Sequence, residues 1–274
     1  MAPGEGTGHG RRTQLRNSGS TARVSFFYMR RIAIIFACAG ALVAAAPASA
    51  EVRELGVSPE SPLVDPSCPA DCQAIGRVSG YPVQIGGLKN PFLVNEPGKI
   101  VAFTVRLGKP DAEQTAFFSN LFGGQAQARL TILKPAHTKH RHRLQAQSEV
   151  VNVQNYFGST PTFALKTPLA IDKRSVVALT IPTWVPAFAV NQPADVAWRF
   201  SRENCDDAQE PAAQQTLKSL RTYACFKRTA RPVYSVTFIP DPKPTTETTA
   251  SGSTKNETQG SSAHSDSNTG GARP

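Results

Sequence analysis

The chain has 274 residues, of which 40% are hydrophobic, and it carries 30 Lys and Arg against 20 Asp and Glu. Six of these basic residues and one acidic residue precede Glu51, so the rest of the chain has a net charge of +5. A charge of this size is ordinary for solubility and gives little support to nucleic-acid binding, although it permits contact with acidic wall polymers.

Residues 29–50 have the layout of a secretory signal peptide. A basic Arg30-Arg31 pair precedes an apolar run, Ile32–Ala46, and the small residues Ala48-Ser49-Ala50 follow. The run is shorter than the roughly 20 residues that span a bilayer as a helix. We therefore predict a cytoplasmic head plus signal peptide over 1–50, with the signal core at 28–50. We expect a secreted or extracellular protein, either free or associated with the cell wall, with no stable membrane insertion after cleavage. The start codon, Met1 or Met29, stays open.

The mature chain is expected to be a single domain. We assign 51–73 to an N-terminal segment and 74–240 to the folded domain. From Asp241 the sequence has no aromatic residue and no Leu, Ile or Val. Such a segment buries too little apolar surface to offset the entropy of ordering, so 241–274 is predicted to be a disordered tail.

Four cysteines follow the leader: Cys68, Cys72, Cys205 and Cys225. An even count in an exported chain favours disulfides, and three pairings are possible. We predict the local pairs, Cys68–Cys72 and Cys205–Cys225. Loop-closure entropy assigns roughly 2 kcal/mol to the shorter loop and about 3 kcal/mol to the longer one.

Period-two alternation of apolar residues dominates the domain. It predicts strands at 98–108, 128–134, 142–153, 175–181, 196–200 and 233–239, with shorter ones at 74–79, 162–165 and 187–190. Many short strands separated by turns indicate an all-β, two-layer antiparallel sandwich, of the jelly-roll type. One or two short helices are expected, at 111–124 and at 207–222.

Three histidines, His137, His140 and His142, lie in a basic stretch that joins two predicted strands. Imidazoles this close could ligate a metal, but the interleaved Lys139 and Arg141 repel a cation. A solvated basic hairpin is the expected structure, with contact to an anionic polymer as the alternative. We expect no metal and no cofactor.

No arrangement of residues indicates an enzyme. The chain has no Gly-x-Ser-x-Gly, and its cysteines are predicted to be oxidised. Glycoside hydrolysis needs two flanking carboxylates, and Glu149 alone is expected in the middle of a strand. The other acids near strands, Glu96, Asp172 and Asp195, have turn sequences. A secreted hydrolase is a distant alternative.

Aromatic residues in loops are the candidate ligand-binding residues. Trp184 lies between Pro182 and Pro186, and Tyr156 and Phe157 lie in a second turn. An exposed ring in a rigid loop can stack on the C–H face of a sugar. The alternative is that these rings cap the core.

Five segments carry a resemblance to a known group: 98–105, 117–124, 128–133, 177–188 and 198–202. They resemble uncharacterised secreted proteins of high-GC bacteria over 68–239, and the order of the predicted elements resembles that of jelly-roll, carbohydrate-binding-module-like domains. The resemblance implies a β-sandwich and brings no activity or site residue with it.

These observations predict a secreted or wall-associated, non-catalytic binding domain. An extracellular glycan or anionic wall polymer is the expected partner, bound through Trp184, Tyr156 and Phe157, and no nucleic acid is expected. The alternative is a structural or adhesive surface protein without a small ligand. Oligomeric state is left open.

Overall fold

The computed structural model describes residues 51–243. The predicted leader, 1–50, and residues 244–274 of the predicted tail lie outside this range. The described chain is built from antiparallel strands, which confirms the all-β prediction. The strands are β1 (Arg53–Leu55), β2 (Ile75–Ile85), β3 (Leu88–Lys89), β4 (Gly98–Val105), β5 (Gln127–Pro135), β6 (Arg141–Gln147), β7 (Val151–Asn152), β8 (Thr162–Ile171), β9 (Val176–Val185), β10 (Phe188–Ala189), β11 (Ala197–Phe200), β12 (Leu220–Thr222), β13 (Cys225–Arg228), β14 (Arg231–Pro232) and β15 (Tyr234–Pro240).

These strands form two main sheets. A four-stranded sheet has the order β1-β15-β4-β8, and a nine-stranded sheet has the order β12-β6-β5-β9-β2-β11-β13, with β3 and β7 at its margin. Strands β10 and β14 form a separate ladder. Tyr234 of the smaller sheet stacks on Phe92 at 4.3 Å and donates its hydroxyl to the carbonyl of Val177 in the larger sheet. The two sheets therefore share one core, and the jelly-roll connectivity remains a prediction.

The larger sheet curls so that a short connection joins its two edge strands. Strands β12 and β13 lie at opposite ends of the strand order, yet only Tyr223 and Ala224 separate them along the chain. The face enclosed by the curl is partly polar. Ser79 and Thr180 are in hydrogen-bond contact at 2.6 Å, and Thr131 reaches Thr180 at 3.0 Å. Such a hydroxyl cluster tolerates complete burial because its members satisfy one another.

The predicted helix at 111–124 is confirmed as α1 (Ala112–Phe122). Asp111 accepts a hydrogen bond from the backbone N–H of Gln114, and the Gln114 side chain accepts one from the Asp111 backbone, which forms a capping box. At the other end Gly123 has a φ of 84°, a conformation that suits glycine. Phe118 and Phe122 are buried, whereas Phe117 is exposed.

The second predicted helix, at 207–222, is wrong. The segment consists of turns that lead into β12. Pro211 has no N–H to continue a helix, and the adjacent Glu210 carboxylate accepts hydrogen bonds from the backbone of Glu203 and Asn204. The backbone N–H of Ala212 then donates to the carbonyl of Arg77. Contacts with β2 thus replace the helical ladder.

The predicted strand at 142–153 is interrupted. It ends as β6 at Gln147 and resumes as β7, because Ser148 turns toward β5. The Ser148 hydroxyl accepts a hydrogen bond from the backbone of Leu130, and the Ser148 carbonyl accepts one from the Arg129 guanidinium. The remaining predicted strands correspond to strands of the structure.

Both predicted disulfides are confirmed, Cys68–Cys72 and Cys205–Cys225. Paired cysteines indicate that the chain matures in an oxidising environment. Within residues 51–243, no helix has the length and apolar character needed to cross a bilayer.

Candidate functional site

Trp184 does not present its ring to solvent, so the predicted stacking role of this residue is wrong. It lies on β9 and is 0% exposed. Its ring packs between Phe118 of α1 and Phe157, with centroids at 5.3 and 5.5 Å, and its Nε1–H donates to the Gly124 carbonyl. The prolines around it suggested a loop, but the strand continues through Pro182 to Val185. The alternative, that Trp184 caps the core, describes the structure.

The other two candidate aromatics, Tyr156 and Phe157, do not form one exposed binding surface with Trp184, because Trp184 is buried. Phe157 is half-buried against Trp184. Tyr156 is 44% exposed and meets Phe163 edge-on at 5.2 Å. Tyr156 is therefore the most exposed of the three predicted rings, and its binding of a ligand remains a prediction.

A cavity of about 500 Å³ lies where the β5–β6 hairpin faces β2, β11 and the segment 90–93 that follows β3. Its volume is within the range of small-ligand sites. Trp184, Tyr156 and Phe157 are absent from its lining. The residues that form it are Tyr81, Pro82, Val83, Asn90, Phe92, Leu93, Pro135, Ala136, Thr138, Lys139, His140, Arg141, His142, Val176 and Arg199.

The rear wall of the cavity is a buried tyrosine–histidine pair. The Tyr81 hydroxyl lies 3.2 Å from Nε2 of His142, and Nδ1 of His142 lies 3.1 Å from the His140 carbonyl. A carbonyl only accepts, so Nδ1 carries the proton of a neutral ring and Nε2 accepts from the tyrosine. Burial raises the pKa of Tyr81 to about 12, which keeps its hydroxyl protonated as the donor. The expectation of a solvated hairpin is thus wrong for His142, which is buried.

A second layer of hydrogen bonds holds this pair from behind. The Tyr223 hydroxyl donates to Oε1 of Gln214 at 2.9 Å, and the Gln214 side chain donates to the Ser219 carbonyl at 2.9 Å. The Tyr223 ring packs edge-on against the His142 ring, with their centroids 5.0 Å apart. The backbone N–H of Tyr223 donates to the His140 carbonyl. The hairpin is therefore fixed against the segment that joins β12 to β13.

The mouth of the cavity is cationic. Lys139 and Arg141 come from the hairpin, and Arg199 comes from β11 on the other side. The cavity lining contains no Asp or Glu, and none of these basic side chains belongs to a salt bridge of the described residues. The Arg199 guanidinium also lies 5.1 Å from the exposed ring of Phe226. Uncompensated cations around a concavity attract an anion.

The pH dependence of the free energy of unfolding should reflect the burial of His142. Burial lowers its pKa below 6.5, and the positive charges of His140 and Arg199 act in the same direction. The unfolded chain then binds this proton at a higher pH than the folded chain, so stability is lost as the pH falls below about 6.5. We expect urea unfolding to show a lower free energy at about pH 5 than at about pH 7.5.

Two variants test whether this loss of stability at low pH comes from His142. His142→Gln can still accept from Tyr81 and donate to the His140 carbonyl, and it should show a smaller loss of stability between the two pH values. His137→Gln, a change of the exposed histidine in the same loop, should behave like the wild type. Equal pH dependence in His142→Gln and the wild type would contradict this account.

The carboxylates considered for hydrolysis lie away from the cavity. Glu149 falls between β6 and β7, not in the middle of a strand, and accepts a hydrogen bond from the backbone of Lys166. Glu96 pairs with Arg53. Asp172 accepts a hydrogen bond from Gln145, and neither it nor Asp195 lines the cavity.

The three histidines of the hairpin do not converge as ligands. Both ring nitrogens of His142 are engaged in hydrogen bonds, and His137 is exposed on the loop. Among residues 51–243, no group of three His, Cys, Asp or Glu side chains is placed to hold a metal ion.

Comparison with known proteins identifies no relative. No protein-family model, curated protein or solved structure matches the chain. The resemblance to secreted carbohydrate-binding-module-like proteins therefore remains a prediction, and the function has to be argued from the cavity itself.

Proposed function

We propose that the protein is an exported, non-catalytic binding domain for an anionic extracellular polymer, either an acidic glycan or an anionic wall polymer. The observation that carries this proposal is the mouth of the cavity, where Lys139, Arg141 and Arg199 stand without an acidic partner. Lys139 and Arg141 are exposed, and Arg199 donates to the carbonyls of Tyr223 and Ala224 at 3.4 Å. Because none of the three is neutralised by a carboxylate of the described residues, their charges remain available to carboxylate or phosphate groups of a ligand.

The cationic surface extends beyond the cavity, which favours a polymer. Arg199 is directly opposite Phe226 in the β11–β13 pair, and residues opposite each other share a face of the sheet. The guanidinium of Arg228 lies 5.4 Å from the same ring. The exposed ring and its two guanidinium neighbours continue the binding surface from the mouth along the sheet edge.

Export is supported by two independent features. The apolar run Ile32–Ala46 with its Ala48-Ser49-Ala50 end has the form of a cleaved signal. The disulfides require an oxidising compartment. A protein released there meets the acidic polymers of a cell surface.

Removal of mouth cations should weaken binding to an acidic polymer. The double variant Lys139→Gln/Arg141→Gln changes two exposed side chains and should raise the dissociation constant for polygalacturonate about tenfold. Calorimetry would measure this constant at about 50 mM and about 300 mM NaCl, and binding should weaken at the higher concentration because salt screens exposed charges.

A charge-matched variant provides the control. Lys99→Gln/Lys166→Gln removes the same charge from exposed positions of β4 and β8, on the other sheet. It should bind polygalacturonate like the wild type, and neutral dextran should bind neither variant. The proposal would be overturned if both double variants bound polygalacturonate equally weakly, or if the wild type bound dextran as tightly as polygalacturonate.

A further inference from the structure

The floor of the cavity differs from its mouth in chemistry. Apolar side chains cover much of it: Pro82, Val83, Leu93 and Val176. Phe92 is fully buried beneath this floor and is held by its stack on Tyr234. A polar sugar ring would lose hydration here without gaining hydrogen bonds, which is unfavourable.

The polar groups of the rear wall are already satisfied. Tyr81 donates to His142, and His142 donates to the His140 carbonyl. That carbonyl also accepts from the backbone N–H of Tyr223 at 2.7 Å. The interior therefore offers a ligand mainly apolar contact, whereas charge is offered at the entrance.

We infer that the cavity binds an amphipathic anion, with an aliphatic or aromatic body against Val83 and Leu93 and its acid group at Arg141 and Arg199. This inference rests on the proposed function, because the same cations hold the acid, and it adds a requirement for an apolar group beside that acid. Such a ligand is either a free organic acid or an acyl substituent on the anionic polymer.

Affinity for such a ligand should depend on its apolar length. Each methylene transferred from water to the cavity floor should raise the affinity about fourfold. We expect butanoate, hexanoate and octanoate to displace the fluorescent probe anilinonaphthalene sulfonate in that order of increasing affinity. Octyltrimethylammonium, which has the same chain with the opposite charge, should not displace the probe.

Filling the cavity should abolish this binding selectively. Val83 is a half-buried residue of the cavity lining, so Val83→Trp places an indole in the cavity. It should reduce the affinity for octanoate at least about tenfold. Val150→Trp, at an exposed position outside the cavity lining, is the matched control and should bind like the wild type. If Val83→Trp does not fold, Thr138→Trp on the exposed loop blocks the entrance instead.

The outcomes separate this inference from the proposed function. Val83→Trp should retain polygalacturonate binding while losing octanoate. Equal octanoate affinity in Val83→Trp, Thr138→Trp and the wild type, or displacement of the probe by octyltrimethylammonium, would overturn the inference and leave the polymer proposal standing. Unchanged polymer binding in Lys139→Gln/Arg141→Gln would contradict the proposed function, and because this variant lacks Arg141 it should also bind octanoate more weakly.

A second comparison identifies the source of the apolar group. Polygalacturonate carrying octanoyl esters is compared with the unesterified polymer. Tighter binding of the esterified polymer assigns the cavity to a substituent of the polymer. Equal binding of the two polymers, together with octanoate binding, assigns it to a free acid. Both results support the amphipathic ligand, and failure of octanoate and of the ester to bind would contradict it.

Discussion

Replacing Trp184 with alanine is expected to lower the free energy of unfolding by about 3–5 kcal/mol, the range for removing a large buried aromatic side chain. The residue is 0% exposed, and it joins β9 to α1 through Phe118 and to the 154–157 turn through Phe157. The substitution also removes the donor to the Gly124 carbonyl, at 3.0 Å. Urea unfolding followed by fluorescence or circular dichroism would measure the loss.

Tyr156→Ala is the matched comparison for this prediction. Tyr156 is 44% exposed and touches the protein mainly through Phe163, so its removal should cost much less stability. A Trp184→Ala protein with wild-type stability and lost glycan binding would contradict the structure. It would restore the hypothesis of a stacking tryptophan.

Loss of the Cys205–Cys225 disulfide should have the second-largest effect. The cysteines are separated by 20 positions in sequence, and the loop-closure argument gives about 3 kcal/mol for the double variant Cys205→Ala/Cys225→Ala. This loop carries Gln214 and Tyr223, which hold His142 at the rear of the cavity. Octanoate and polygalacturonate affinity should therefore fall together with stability.

The other disulfide supplies the control. Cys68 and Cys72 close a loop with a sequence separation of 4, and their removal should cost roughly 2 kcal/mol without a change in ligand affinity. Calorimetric unfolding of both double variants would give the two values. Equal losses of ligand affinity in the two variants would show that the Cys205–Cys225 loop does not support the cavity.

Local patterns predicted most of the secondary structure because they act over a few residues. The Asp111 cap and the double glycine at 123–124 bounded α1, and alternation located the long strands. The errors arose where contacts between residues far apart in the chain determine the local structure. Pro182 suggested a loop, yet it lies in β9 opposite an irregularity between Gly76 and Val78 of β2, where a missing N–H is tolerated.

The cavity was not predictable from local sequence. Its walls join residues that are far apart in the chain, such as Tyr81, His142 and Arg199, and only the curl of the larger sheet brings them together. The basic hairpin was visible, and contact with an anionic polymer was the alternative interpretation for it. The burial of His142 was not visible, because its partner Tyr81 lies 61 positions away.

Mapping the polymer contact by nuclear magnetic resonance tests the central claim most directly. The mature protein, labelled with nitrogen-15, would be titrated with polygalacturonate fragments. The largest amide shifts should fall on residues 136–142 and around Arg199 and Phe226. Shifts concentrated on β4 and β8, or around Tyr156, with the hairpin unchanged, would contradict the assignment of anion binding to the cavity mouth.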